Sequence, residues 1–395
     1  MTLDRKIARL AWGGRTGDPS ALFGLGAVLA RVALASARTL FDWFSTNALP
    51  MVAGMAVAAV IYLPTVFVLW FLDRRARTPW PVVAFVMLAT WLFFAPLAGA
   101  ANDWLGRFLP LFAFVGLVEE ACKIAPLLII LIILIFLPRA VSGARDGLIL
   151  GALGGLGFAI IEFGYYVAHV GFDDVGWKSL PDQIARGNFL GTHNHVISSA
   201  TLGAAFGRAA NMPRGWRRIA LPLGAYVVVA MVHDLQDGGG NVIAVMFAGM
   251  LLEPVLLAFP EPETVMNDNM TLIQLYFGTV NLLLINCFLL PILWLVVRRS
   301  GDTERKIIRE RLQGEAPDVI SRAELDDVNA DRRYKRRKLR ELSAATSRRL
   351  VQLQNELALH KEYITRTRTD IDSDPPVKAV RGVIASLRKG RRKPT

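Results

Sequence analysis

A set of ionisable side chains interrupts stretches that are otherwise apolar. Glu119, Glu120 and Lys123 sit in VGLVEEACKIAPLL, Glu162 in GLGFAIIEFGYY, His195 in GTHNHVISSATLG, and His233, Asp234 and Asp237 in VVVAMVHDLQDG. Residues of these types can hydrolyse an amide. The reaction needs an activated water, a stabiliser for the oxyanion and a proton donor for the leaving amine. A desolvated carboxylate can serve as the base. Two imidazoles with a carboxylate can instead hold Zn²⁺ with one open position and lower the pKa of its bound water to about 7. No HExxH occurs in the chain, so the common soluble zinc-protease signature is absent. Both ways of activating water stay open at this level.

The spacing places these groups on defined helix faces. Glu119 and Lys123 are i,i+4 with the acid N-terminal, and Glu120 and Lys123 are i,i+3, so one ammonium can offset part of the double carboxylate. Such an ion pair could also do no more than fix helix register. Gly147, Gly151 and Gly155 form a GxxxGxxxG ladder that lets a neighbouring helix come close. Glu162 falls on the same stripe, which directs it to a helix interface rather than to lipid. His195, Ser199, Gly203 and Gly207 repeat every four residues as a second small and polar stripe. His233 and Asp237 are i,i+4, so a carboxylate can orient the imidazole.

The elements that carry these groups read as membrane helices. Of the 395 residues 53% are apolar and the mean hydropathy is +0.39, yet the net charge is +12. Residues 298–395 hold 26 Lys and Arg against 15 Asp and Glu, and the rest of the chain holds 19 against 18. A nearly neutral apolar body therefore precedes a basic, water-soluble tail. This excludes an ordinary soluble enzyme, a disordered protein and a disulfide-stapled domain. Cys122 and Cys287 both lie in apolar runs and support no disulfide framework.

Candidate spans are 51–72, 79–101, 108–138, 147–170, 188–207, 219–235 and 271–297. The stretch 20–41, with Arg31 and Arg38 on one face, suits an interfacial helix, and 242–260, with Glu253 and Pro254, is expected not to span fully. No cleavable signal peptide is visible. The fold class is thus all-α: a polytopic helical membrane protein of about seven to nine membrane helices, at roughly 20 residues per span, with a C-terminal cytoplasmic helical tail. The expected division is 1–45 (an N-terminal cytoplasmic segment and interfacial helix), 46–297 (membrane domain) and 298–395 (tail). Basic loops containing Arg74, Arg75 and Arg77, then Arg139 and Arg145, then Arg208, Arg214, Arg217 and Arg218, set the orientation by the positive-inside rule. It puts Glu162, His195, His233 and Asp237 in the outer half of the membrane and Glu119 and Glu120 near its midplane. Charges in the membrane core cost about 2.5–3.5 kcal/mol each on insertion scales, so they are expected to meet one another.

The ordered set Glu119-Glu120-x-x-Lys123, Gly157-Phe158-Ala159-x-x-Glu162, His195 and His233-x-x-x-Asp237 resembles the PrsW family of intramembrane proteases, in the wider group with the CAAX prenyl proteases. The resemblance covers about residues 107–240. The EExxK form, with Lys123 rather than a basic residue at 124, favours PrsW over the CAAX type. The sequence departs from the family pattern at Phe163 (usually Asn), Val196 (usually Ala) and Asp234 (commonly Gly). The resemblance implies a bacterial membrane endopeptidase that cuts single-pass membrane proteins, such as anti-sigma factors, on the outer side. Glu119 and Glu120 would be the catalytic pair, joined by Glu162, His195, His233 and Asp237. If a metal is used, Zn²⁺ on Glu162, His195 and His233 is the expected form. A proton- or ion-coupled transporter is the alternative from another class; it predicts an internal repeat, and none is seen. A catalytically silent scaffold of the same fold is the third reading.

The tail reads as helix over 320–366, with Thr346, Leu350, Leu353, Leu357, His360 and Ile364 as a short heptad-like seam. A break is expected at Asp372–Pro376. The basic run 332–338 suggests contact with anionic inner-leaflet lipid. No specific nucleic-acid partner is expected, because no fold signature accompanies the charge.

Overall fold

The computed structural model describes residues 19–73, 78–110, 114–134, 143–185, 188–210, 212, 215–237, 246, 249–254, 258, 276, 279–280, 283–284, 286–329, 344–367 and 370–389. The helices are α1 (Pro19–Ile61), α2 (Leu63–Leu72), α3 (Trp80–Ala89), α4 (Ala95–Leu105), α5 (Val115–Leu134), α6 (Ala144–Tyr165), α7 (Phe172–Val175), α8 (Ser179–Ala185), α9 (Asn188–Ala210), α10 (Trp216–Asp237), α11 (Leu289–Leu312), α12 (Arg322–Asn329), α13 (Ala344–Thr367) and α14 (Pro375–Lys389). Wider π-helical turns join α3 to α4 (Thr90–Phe94) and extend α6 (Tyr166–Gly171). No strand occurs among the described residues, so the all-α reading stands. Most of 238–285, the loop residues Arg74, Arg75, Arg77, Arg139 and Arg214, the run 332–338 and the last six residues lie outside the described residues. The expectations placed on them are left there.

Among the described residues, four helical stretches are long and apolar enough to cross a membrane: Ala30–Ile61, Trp80–Leu105, Ala144–Ile184 and Trp216–Gln236. Their outward faces carry large apolar side chains, such as Phe41, Trp80, Leu92, Ile219 and Met231, each more than half exposed. A soluble protein would bury such a band, whereas lipid covers it. Helices α5 and α9 have the length too, but α5, otherwise apolar, carries the charges of Glu119, Glu120 and Lys123, and α9 is polar around His193, Asn194 and His195. They lie inside the bundle, where Glu120, Lys123, Ser198 and Ser199 are essentially fully buried.

A kink separates the two N-terminal stretches: 20–41 lies in the first of the two helical segments joined in α1, and 51–72 runs from the second segment into α2. Asn47 inside α1 is non-helical (φ −131°, ψ 49°), three residues before Pro50, whose ring removes a backbone donor. Asn47 Nδ2 uses the break to donate to Ala168 O and Asp173 Oδ1, both at 2.9 Å. The second boundary falls at Tyr62, just before Pro64.

The two small-residue stripes meet. Helices α6 and α9 run antiparallel with Gly147, Gly151 and Gly155 against Gly203, Ser199 and His195. A Cβ placed on Gly151 would lie 2.1 Å from Ser199 O and 3.0 Å from Gly203 Cα. Only the absence of a side chain allows this approach. At the end of α6 opposite Glu162, Arg145 pairs with Glu304 on α11 at 2.5 Å, which ties the membrane core to the helix that leads into the tail.

The tail is a small packed domain. Leu350, Leu353, Leu357 and Ile364 of the heptad-like seam are buried, and they pack with Val319, Val377 and Ile384 of the same chain. The seam is thus satisfied internally, through α14. The break before Pro375 falls where the sequence placed it. Glu315 is enclosed and receives Lys361 at 2.5 Å and Arg381 at 2.8 Å, while Arg388 bonds Glu324 and Arg311 bonds Glu362 at 2.7 Å. Burial alone would raise the Glu315 carboxyl pKa, but the hydrogen bonds and charges of Arg381 and Lys361 outweigh it and hold the pKa below its ordinary value. Because the folded pKa is the lower one, the stabilisation is complete above the unfolded carboxyl's value of about 4.3 and fades as the pH falls through the folded value. Amide protection of α13 and α14 in the whole chain is therefore expected to drop between pH 6 and pH 3. Glu315→Gln should weaken protection at pH 6 and flatten the response; unchanged protection at pH 3 in the wild type would contradict this.

Candidate active site

Four helices bring their polar residues to one level. Glu119 and Glu120 lie in the first two turns of α5, Glu162 in the last turn of α6, His195 in the second turn of α9 and His233 in the last two turns of α10. The antiparallel bundle puts these four helix ends side by side. The helix carrying the two acids begins at Val115 rather than near residue 108, and their contacts put them level with the other three.

Lys123 Nζ is the centre of the cluster. It donates to Glu120 Oε1 at 2.9 Å and Glu119 Oε2 at 3.2 Å, and approaches His195 Nδ1 at 2.6 Å and His233 Nδ1 at 3.2 Å. His195 Nε2 lies 2.5 Å from Glu162 Oε2. An ammonium on Nδ1 and a carboxylate on Nε2 assign the His195 proton to Nε2. His233 Nδ1 lies 2.8 Å from Glu120 Oε1, and its Nε2 lies 3.4 Å from Glu119 Oε2. Each imidazole is thus oriented by a carboxylate on one nitrogen, the arrangement that holds a ring in place for catalysis or for a metal. Phe158 closes one side, with its ring centroid 4.4 Å from Lys123 Nζ and 5.3 Å from the His195 ring.

Of the sequence-predicted residues, Glu119, Glu120, Glu162, His195 and His233 come together. Asp237 is the last residue of α10, and its side chain lies outside those described. One contributor was not singled out by sequence. Asn102 of α4 donates to Glu119 Oε1 at 3.2 Å; its one available signal was a lone amide following an apolar run. Asp234, singled out as an ionisable residue in an apolar run and a departure from the family pattern but given no site role, accepts from Gly116 N at 2.6 Å. A carboxylate on a free first-turn N–H also complements the helix dipole. It fixes the start of α5 against α10, and so fixes Glu119 and Glu120 against His233. Gly116 makes this crossing possible, since a Cβ there would lie 2.3 Å from Ala230 O.

The donor chemistry fits a divalent metal. Glu119, His195 and His233, all buried, each offer one ligand atom, and these atoms lie within 4.8 Å of one another. Two imidazoles and a carboxylate are a common catalytic zinc set. Charge points the same way: with neutral imidazoles, the carboxylates of Glu119, Glu120 and Glu162 face the single ammonium of Lys123, a buried excess of negative charge that a divalent cation cancels. Glu120 Oε2 is buried without a hydrogen-bond partner, so one carboxylate oxygen is available to a ligand or a water. Glu162 sits behind His195 in this geometry, so the three converging donors are Glu119, His195 and His233. Glu162→Gln keeps the shape but removes the charge that orients His195. It is expected to lower cleavage about 10–100-fold, measured on a reconstituted substrate, and an unchanged rate would remove Glu162 from the site.

Residues 78–259 match the family model described as PrsW family intramembrane metalloprotease. The match contains every residue of the cluster and also Asn102. No curated protein and no solved structure matches the chain.

Proposed function

We propose that this membrane protein is an endopeptidase that cuts membrane-anchored proteins at the buried cluster, with Glu120 as the base that activates water. The family match supports intramembrane proteolysis in general. The observation that carries the proposal is the convergence of two imidazoles and several carboxylates from four helices around one point, with Glu120 Oε2 free to accept a proton. In this reading Glu120 Oε1 stays bound to His233 while Oε2 takes the proton of the attacking water. The same oxygen then gives that proton to the leaving amine as the tetrahedral intermediate collapses. Glu119, His195 and His233 would hold the zinc ion, which when bound polarises the scissile carbonyl and acidifies water. Glu162 and Glu120 keep the two imidazoles in register. Asp237, one turn beyond His233, would complete that motif.

A second reading is favoured by the position of Lys123. Its ammonium lies among the same donors and could itself balance the oxyanion, with Glu120 working on water unaided by a metal. The substrate class is proposed to be single-pass membrane proteins, including regulators of the anti-sigma-factor kind, cut near the outer face of a bacterial inner membrane, with the tail in the cytoplasm. Anionic lipid contact would fall to the basic run 332–338. A proteomic comparison of membranes containing the wild type or Glu120→Gln tests this function. Single-pass proteins should accumulate intact in the variant, and identical membrane proteomes would count against it.

A further inference from the structure

The ammonium of Lys123 occupies the position a cation would need. Lys123 Nζ is fully enclosed and stands within 3.2 Å of Glu119, Glu120, His195 and His233. An ammonium has three N–H donors, and with the His233 Nδ1 proton given to Glu120 they go to Glu119 Oε2, Glu120 Oε1 and His195 Nδ1. Glu119, His195 and His233 around it are the same three residues that converge as a metal set. A divalent ion and this ammonium cannot share the position. Repulsion between them across a few ångströms of dry interior is worth several tenfold steps in affinity.

From this we infer that Lys123 is an internal competitor for the metal: it holds the donors together in the ion-free protein and swings away when a divalent ion binds. The inference rests on the metal form of the proposed function. The lysine stem is long and flexible, and a resting place lies beside it. The Phe158 ring centroid is 4.4 Å from Nζ, close enough to take the displaced charge on its face. Such exchange would offset part of the buried carboxylate charge while no metal is present, and would set a threshold of metal concentration for activity. A lysine that served only as a fixed ion-pair partner would act in the opposite way, because removing it would loosen the donors and weaken metal binding.

The test is a zinc titration of the metal-stripped full chain in detergent against a chromophoric chelator. Lys123→Met keeps the length of the side chain without its charge and should bind one zinc ion at least tenfold more tightly than the wild type. Lys123→Arg keeps the charge and should bind no more tightly than the wild type. Phe158→Leu removes the resting place and should weaken binding several-fold in a site whose donors are intact. Equal or weaker binding by Lys123→Met, with a melting temperature showing that it is folded, overturns the inference. If that variant does not fold, Phe158→Leu decides, and affinity equal to that of the wild type overturns it. Should neither the wild type nor Lys123→Met take up zinc, the inference and the metal form fall together while Glu120-dependent cleavage is untouched. Should the wild type bind zinc and Lys123→Met bind it no better, the inference falls alone.

Discussion

Glu120→Gln is expected to slow peptide cleavage by about 10²–10⁴-fold, the usual worth of a general base, without unfolding the protein. The substitution is close to isosteric. Glu120 Oε1 now accepts from Lys123 at 2.9 Å and contacts His233 Nδ1 at 2.8 Å, and the amide oxygen of glutamine can still accept both bonds. What changes is the other oxygen. Glu120 Oε2 has no partner, and replacing it by an NH₂ group turns the one free acceptor into a donor that can take no proton from water. Glu119→Gln should also be severely impaired, for a different reason. Its Oε2 is bound to Lys123 and near His233, and its Oε1 is held by Asn102, so it is placed to hold charge rather than to move a proton. The two variants should separate in metal content: Glu119→Gln loses bound zinc, and Glu120→Gln retains most of it. Full activity of both variants would remove the carboxylate pair from the mechanism.

Gly151→Ala is expected to be among the most damaging single-methyl changes in the membrane core. The added Cβ would stand 2.1 Å from Ser199 O and 3.0 Å from Gly203 Cα. Both are backbone atoms of α9 and cannot rotate aside, so the helices must separate. Overpacking of this kind costs about 1–3 kcal/mol or more. Separation also pulls apart Glu162 and His195, which ride on the same two helices and lie 2.5 Å apart. A lower unfolding temperature and a lower cleavage rate should therefore appear together. Gly224→Ala is the control. A Cβ there meets nothing within 4 Å, and alanine is the better helix former by about 0.8–1 kcal/mol, so that variant should be as stable as the wild type or more so. Equal unfolding temperatures for the two variants would contradict the close approach of α6 and α9.

The residues that became legible early are those whose evidence is one-dimensional. A charge in an apolar run is visible without knowing what it touches, which is why Glu119, Glu120, Glu162, His195 and His233 could be singled out. The four-residue stripes on α6 and α9 were also visible, although spacing alone gave no reason to set one against the other. That pairing follows from three dimensions: two helices with glycine ladders come closer to each other than to any bulky face. Contacts between distant segments were not legible. Asn102 belongs to the site because α4 passes the start of α5, and Asp234 because α10 crosses at Gly116. Neither residue differs in sequence from an ordinary polar residue near a helix end. The tail shows the converse. Its leucine seam was visible as a pattern, but a pattern does not say whether its partner is another chain or the helix that follows. Here α14 covers it.

The measurement closest to the central claim is cleavage by the purified full chain in liposomes, with the termini of a single-pass substrate read by mass spectrometry. The account predicts new termini within or at the edge of the substrate's membrane segment for the wild type, and none above background for Glu120→Gln. Cleavage of equal rate and position in both proteins would contradict it.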